Sequence, residues 1–267
     1  SLVALSGWVS GGAQVPATTP VATPSPASAL PSTAVLVHAG TFLMGSPRTE
    51  QYHSPDETQH EVTLTRDFLM NPTEVTQGQW EALMGNNPSR FRGDDNRPVE
   101  SVLWYDACAY ANALSERDGL PKAYDLVSCS GAPGSVEYFC GEVRPTASSL
   151  YATAGWRLPT EAEWEYAYRA GTPTAWFFGS DGNLLGTYAW FASNTQPQPV
   201  ASKQPNSWGL YDMAGNVKEW CSDWYGEYAG QVTDPEGAAD SKDPTVPQER
   251  ILRGGSWLSC LLYTSDA

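Results

Sequence analysis

Histidine is nearly absent. His38, His53 and His60 are the only three in a 267-residue chain, and none pairs as H-x-x-x-H or H-x-H. Zinc-protease and His-ligated facial iron sites therefore lack their ligands. Neither a P-loop nor a G-x-S-x-G elbow occurs, and no C-x-x-C is present, which removes zinc ribbons and thioredoxin chemistry. The longest apolar opening, S-L-V-A-L-S-G-W-V, is too short to span a membrane. Basic residues are scarce, 15 Lys and Arg against 30 Asp and Glu, and the net charge of −15 repels a phosphate backbone, so nucleic acid is excluded as a partner.

What the chain has instead is aromatic rings and loop formers: 11 Trp, 13 Tyr, 24 Gly and 21 Pro, with only 17% charged residues. That composition suits a loop-rich globule with one large core or two modest ones, not a helical bundle. Residues 1–34 read as the remnant of a signal peptide, with a small-residue cleavage zone at 11–13, followed by a Pro/Ser/Thr/Ala linker over 15–34. Such stalks tether exported domains, so a periplasmic or secreted protein is expected.

The folded domain then begins near residue 35. Residues 35–37 and 41–44 read as strands, and 60–66 alternates as a half-buried strand. Thr76 and Gln79 form a capping box opening a helix to Met84, stopped by Gly85. A longer helix is expected over 104–117, with Cys108, Ala111 and Leu114 on its apolar face. Residues 121–153 read as irregular. A second capping box, Thr160 with Glu163, opens a helix running to Ala170; the box also accounts for Glu161 and Glu163 better than a catalytic acid pair does. Residues 172–207 read as loop with a short strand, and 250–257 as a final strand. Strands, helices, then loops and strands, without a β-α-β repeat, predict an α+β fold in a single compact mixed domain.

Residues 209–226 pack Asp212, Asn216, Glu219 and Asp223 among Tyr211, Trp220, Trp224 and Tyr225. Carboxylates that close to large rings need compensation away from water. Asp212 and Glu219 offer carboxylate oxygens, and a bend at Gly215 turns backbone carbonyls inward, an irregular oxygen set that suits Ca²⁺ more than Mg²⁺. The competing reading is a short helical turn with capping acids. Cys129 and Cys140 flank a Gly/Pro/Ser-rich segment and read as a disulfide in an oxidising compartment, or else as two free thiols. Cys108 and Cys221 read as buried packing. Cys260 follows a Gly-Gly turn, but no His follows to activate it.

Six blocks occur in a recognisable order: A-G-T-F-L-M-G-S (39–46), E-V-T (74–76), P-V-E-S-V-L-W-Y-D-A (98–107), G-W-R-L-P-T-E-A-E-W-E-Y-A (155–167), N-S-W-G-L-Y-D-M-A-G-N-V-K-E-W (206–220) and R-G-G-S-W (253–257). Over residues 35–257 the chain resembles the formylglycine-generating enzyme, or sulfatase-modifying factor, family. The resemblance implies a mixed domain with little regular structure, related to C-type-lectin-like folds. It also implies Ca²⁺ held by the Asp212 side chain, the Gly215 and Val217 carbonyls and the Glu219 side chain, with Asn216 as a structural turn residue. Trp190 and Phe191 stand where a second calcium site of the family needs an Asn.

The activity implied is oxidation of a sulfatase cysteine to formylglycine with O₂, at two cysteines that hold Cu⁺ shortly after the Gly-Gly-Ser-aromatic turn. Ser256 matches the serine beside that site. Cys260 falls one position late, no second cysteine follows, and Lys218 replaces a usual aromatic. Residues 258–267 read as an atypical tail, closer to a translated sequencing adapter than to the family's continuation, so the domain is expected to be C-terminally truncated. Two functions follow as expectations. One is a Ca²⁺-stabilised, non-catalytic binding or scaffold module, a monomeric pseudoenzyme for a protein or peptide client. The other is the oxidase, its catalytic cysteines lying in missing C-terminal sequence and its client a sulfatase. An iron-dependent sulfoxide synthase lacks its His ligands and partner domain.

Overall fold

The computed structural model describes residues 6–7, 34–50, 53, 55, 57–192, 195–228, 230–238 and 249–259. The cleavage zone, the Pro-rich linker up to Thr33, and Cys260 lie outside them. In chain order the elements are β1 (Ser6–Gly7), β2 (Val35–Val37), β3 (Gly40–Met44), β4 (His60–Leu64), β5 (Phe68–Met70), α1 (Gln77–Met84), α2 (Trp104–Arg117), β6 (Tyr124–Ser130), β7 (Phe139–Pro145), α3 (Glu161–Arg169), α4 (Leu185–Tyr188), β8 (Glu219–Trp224), β9 (Val232–Thr233) and β10 (Arg250–Arg253). Short helices and several small sheets make an α+β domain, as the element order predicts.

β3 pairs antiparallel with β4, and β9 joins β4 in parallel. In β4 the alternation holds, with His60, Val62 and Leu64 turned inward. The strand stops at Leu64, short of the expected Arg66. β5, a three-residue apolar run with no alternation to betray it, is the centre of a sheet flanked by β1 and β2. Ser6–Gly7, read from sequence as part of a leader remnant, is an edge strand there. β8 pairs antiparallel with β10. β10 ends at Arg253 and not at Trp257, because Gly254 and Gly255 adopt left-handed backbone with φ of 90° and 70°.

The expectation of irregular chain over 121–153 is corrected. β6 and β7 form an antiparallel hairpin, and Cys129 and Cys140 face each other in its register and are joined by a disulfide. Most of its side chains are exposed or half-buried, so no inward-outward pattern marks it in the sequence. Residues 172–207 likewise hold a short helix, α4, rather than a strand.

The helices start where their caps predict. Thr76 accepts from Gln79 N while Gln79 accepts from Thr76 N, and Gly85 closes α1 at φ 76°. Thr160 and Glu163 do the same for α3, whose last helical residue is Arg169, with Ala170 left-handed at φ 45°. The apolar residues sort into two adjoining cores. One gathers Val62, Leu64, Phe68 and Met70 with Trp164, Leu210 and Met213. The other wraps α2, with Cys108, Ala111 and Leu114 against Trp80, Trp156 and Leu158.

Two groups of buried ion pairs accompany them. Arg157 grips Glu163 through two bonds of 2.6 and 2.7 Å. Glu165 sits between Arg169 and Arg253, 2.7 Å from each, and its Oε1 also accepts from Gly45 N.

Candidate metal centre

The turn before β8 is built by left-handed backbone at Gly209, Asp212, Gly215 and Asn216, with φ of 84°, 57°, 86° and 56°. It is not a capped helical turn, so that sequence reading is corrected: residues 219–224 leave the turn directly as β8. Gly215 is required twice over. Its φ favours glycine, and a Cβ there would meet the Trp190 carbonyl oxygen at 2.2 Å. The turn is pinned by Gly215 N to Gly254 O, Asn216 N to Trp190 O, and Trp257 N to Asn216 O. Asn216 is wholly buried, and its side chain accepts from Gln198 N and donates to Glu74, the structural role expected of it.

This turn brings Asp212 and Glu219 into the interior at 3% and 1% exposure. Asp212 Oδ2 accepts from Ala201 N, but its Oδ1 is buried with no partner. Glu219 Oε2 accepts from Trp164 Nε1 at 2.9 Å. A third carboxylate stands with them. Glu74, 1% exposed, accepts from Val217 N at 3.0 Å and from Asn216 Nδ2 at 2.7 Å.

No Lys or Arg forms an ion pair with any of the three among the described residues. Burial pushes Asp212 up to about 6. Burial, and then the Asp212 charge, push Glu219 up to about 8. Glu74 is raised well above the carboxylate range by burial and by both neighbours. Uncompensated like charges in a dry site are costly unless protonated or bridged by a cation.

The donor set fits a hard cation. Among the described residues no three His, Cys, Asp or Glu side chains are grouped so that they alone could hold a metal ion, and a cation here would need backbone oxygens as well. Mixed carboxylate and carbonyl oxygen is calcium's usual diet of ligands. Asp212 and Glu219 are both buried beside this turn, near enough for the Asp212 charge to raise Glu219. Glu74 was not anticipated: it lies 142 residues from Asn216, and its only sequence mark is its place in E-V-T.

The matched active-site serine has a local task. Ser256 Oγ accepts from the Leu258 and Ser259 amides and contacts Ser259 Oγ at 2.9 Å, while Trp257 packs edge-on against Phe91. Cys108 and Cys221 are fully buried, and burial pushes both thiols up. Asp223, also raised to about 8 by burial and by Glu161, accepts from Glu161 N and Ser222 Oγ, outside the trio.

A separate cleft of about 550 Å³ opens between the start of α2, the hairpin tip at residues 136–139, and the β8–β10 ladder. Trp104, Trp220 and Trp224 line it, and Arg250 stacks between two of these rings.

Comparison with known proteins places this architecture. Residues 19–267 match the sulfatase-modifying factor enzyme 1-like domain. The chain is similar to the chaperone protein LppX of Paenibacillus barcinonensis, 34% identical over 84% of this chain and 78% of that one. It is 37% identical to the formylglycine-generating enzyme of Thermomonospora curvata over 84% of this chain and 82% of the enzyme. Among solved structures it resembles Treponema denticola variable protein 1 with a TM-score of 0.71 and 32% identity, covering 87% of this chain and 86% of that one. Fold, motif order and matched length agree, and the chain belongs to the sulfatase-modifying factor enzyme 1-like family, that of the formylglycine-generating enzymes.

Proposed function

We propose that this chain is a calcium-stabilised, non-catalytic member of the family, an exported module that binds a protein or peptide client. One observation carries the reading: every cysteine among the described residues is already committed. Cys129 and Cys140 are bonded to each other, and Cys108 and Cys221 lie sealed in the two cores with their thiolates disfavoured. Cu⁺ needs soft thiolates, and none of the described thiols fits that group. Ca²⁺ is supported by the orphaned Asp212 Oδ1 and the unpaired trio. In that reading the ion is held by the Asp212 and Glu219 carboxylates with the Gly215 and Val217 carbonyls, and Glu74 holds the turn from behind. The ion supplies charge compensation. Export is supported by the disulfide, a bond of oxidising compartments.

The oxidase stays as a second reading because of the 37% identity to a formylglycine-generating enzyme. The two are separated by incubating the purified chain with Cu⁺, O₂ and a cysteine-containing sulfatase peptide. The proposal expects the peptide mass to stay unchanged; conversion of its thiol to an aldehyde would establish the oxidase.

A further inference from the structure

The aromatic cleft takes no part in the metal centre, and its chemistry is specific. At about 550 Å³ it has the size of sites that hold a small ligand or the end of a peptide. Its rings are fixed before anything binds: Trp104 Nε1 donates to the Cys221 carbonyl at 2.9 Å and Trp220 Nε1 to the Val102 carbonyl at 3.2 Å. Phe139 packs edge-on against Tyr105 at the hairpin side, while half its own surface stays open.

Arg250 supplies the cation. It faces Trp224 across the β8–β10 ladder, and its guanidinium lies 3.7 Å from the centre of a Trp104 ring and 3.5 Å from that of a Trp224 ring. Its Nη1 donates to the Ser222 carbonyl, and its Nε is buried without a partner. No carboxylate pairs with it among the described residues. Burial lowers its pKa to about 10, which still leaves it charged at neutral pH. Two acids, Glu137 and Glu249, also line the cleft, but both are exposed. The site therefore sets a stacked, half-buried cation among rings with negative charge at the mouth. A polyanion is repelled from such a mouth. A single carboxylate carried on an apolar body is accepted, and a positive charge behind it is favoured.

A peptide's C-terminal residue is the unit that carries an apolar side chain and a carboxylate on one carbon. We propose that this cleft binds the C-terminal residue of a client: an apolar or aromatic residue whose free α-carboxylate meets Arg250 and whose side chain packs among Trp104, Trp220 and Trp224, with a basic residue upstream meeting Glu137 and Glu249. This deepens the client-binding reading and rests on it.

The test titrates the full chain, followed by tryptophan fluorescence, with acetyl-Gly-Lys-Gly-Phe as the free acid, as its C-terminal amide, and as the free acid with Glu in place of Lys. Saturable binding of the free acid is expected, at least tenfold weaker for the amide and weaker again for the Glu peptide. Arg250→Gln should erase the preference of acid over amide. If that variant does not fold, the acid and amide comparison on the unaltered chain carries the test alone. Equal binding of acid and amide, or no saturable binding of the acid, overturns the inference. A chelator arm separates the two proposals. A chain whose melting ignores the chelator but which prefers the acid peptide keeps this inference and loses the calcium reading; a chelator-sensitive chain that ignores the peptide does the reverse.

Discussion

Burial pushes Asp212 up to about 6 and Glu219 and Asp223 up to about 8. An acid held above its unfolded value contributes stability below the unfolded pKa, near 4, and loses it as pH rises through the folded one. In chelator the melting temperature should fall between about pH 5 and about pH 8. Calcium should offset the share due to Asp212 and Glu219, so the gap between the two melting curves widens with pH. A flat profile in chelator would contradict these environments. Ion pairs divide just as sharply by burial. Removing the Glu165 charge (Glu165→Gln) leaves Arg169 and Arg253 buried without their shared partner. That should cost about 3–5 kcal/mol, or roughly 6–20 °C in a domain of this size. Asp125→Asn breaks a pair with Arg144 that is more than half exposed, and should change stability by less than about 1 kcal/mol. At this scale the sequence exposes Asp212 and Glu219, because acids among tryptophans call for explanation. It hides Glu74, because that residue's role depends on a contact with Asn216 made only by folding.

Helices were more legible than strands, and the reason is physical. α1 and α3 announce themselves through Thr76 with Gln79 and Thr160 with Glu163, reciprocal bonds closed within four residues. The β6–β7 hairpin has no such local signature. Its faces do not alternate, and much of what holds it is the ladder and the Cys129–Cys140 bridge. Reducing that bridge under native conditions should loosen the hairpin by about 3 kcal/mol, the loop-closure value for a span of this length. Intact mass should rise by two hydrogens, and hydrogen exchange should quicken across residues 124–145 while α1 and α3 stay protected. An unchanged mass would mean free thiols and would remove the bond offered in support of export. The cleft behind the hairpin escaped the sequence altogether, since Trp104, Trp224 and Arg250 come from three separate elements.

For the whole molecule, the α+β class was readable from the order of strands and helices. The way its two cores meet was not. Nor was the buried pairing of Glu165 with Arg253, which ties α3 to β10, or the bond from Trp164 of α3 to Glu219 of β8. Family membership is equally clear from the motifs and the matched length, yet it does not decide activity: the relatives include an enzyme by name and a chaperone by name. Among the described residues the chain combines a buried carboxylate centre that has no basic ion-pair partner with cysteines that are either bridged or buried.

The most direct measurement is calcium titration of the unaltered chain and of Asp212→Asn, by calorimetry and thermal melting at neutral pH. Saturable binding to the unaltered chain is expected, with about 2.7 kcal/mol of stabilisation at a hundredfold excess over Kd. Asp212→Asn should lose most of that response while remaining folded in chelator. An unaltered chain that releases no heat with calcium and melts at the same temperature in chelator would contradict the calcium reading.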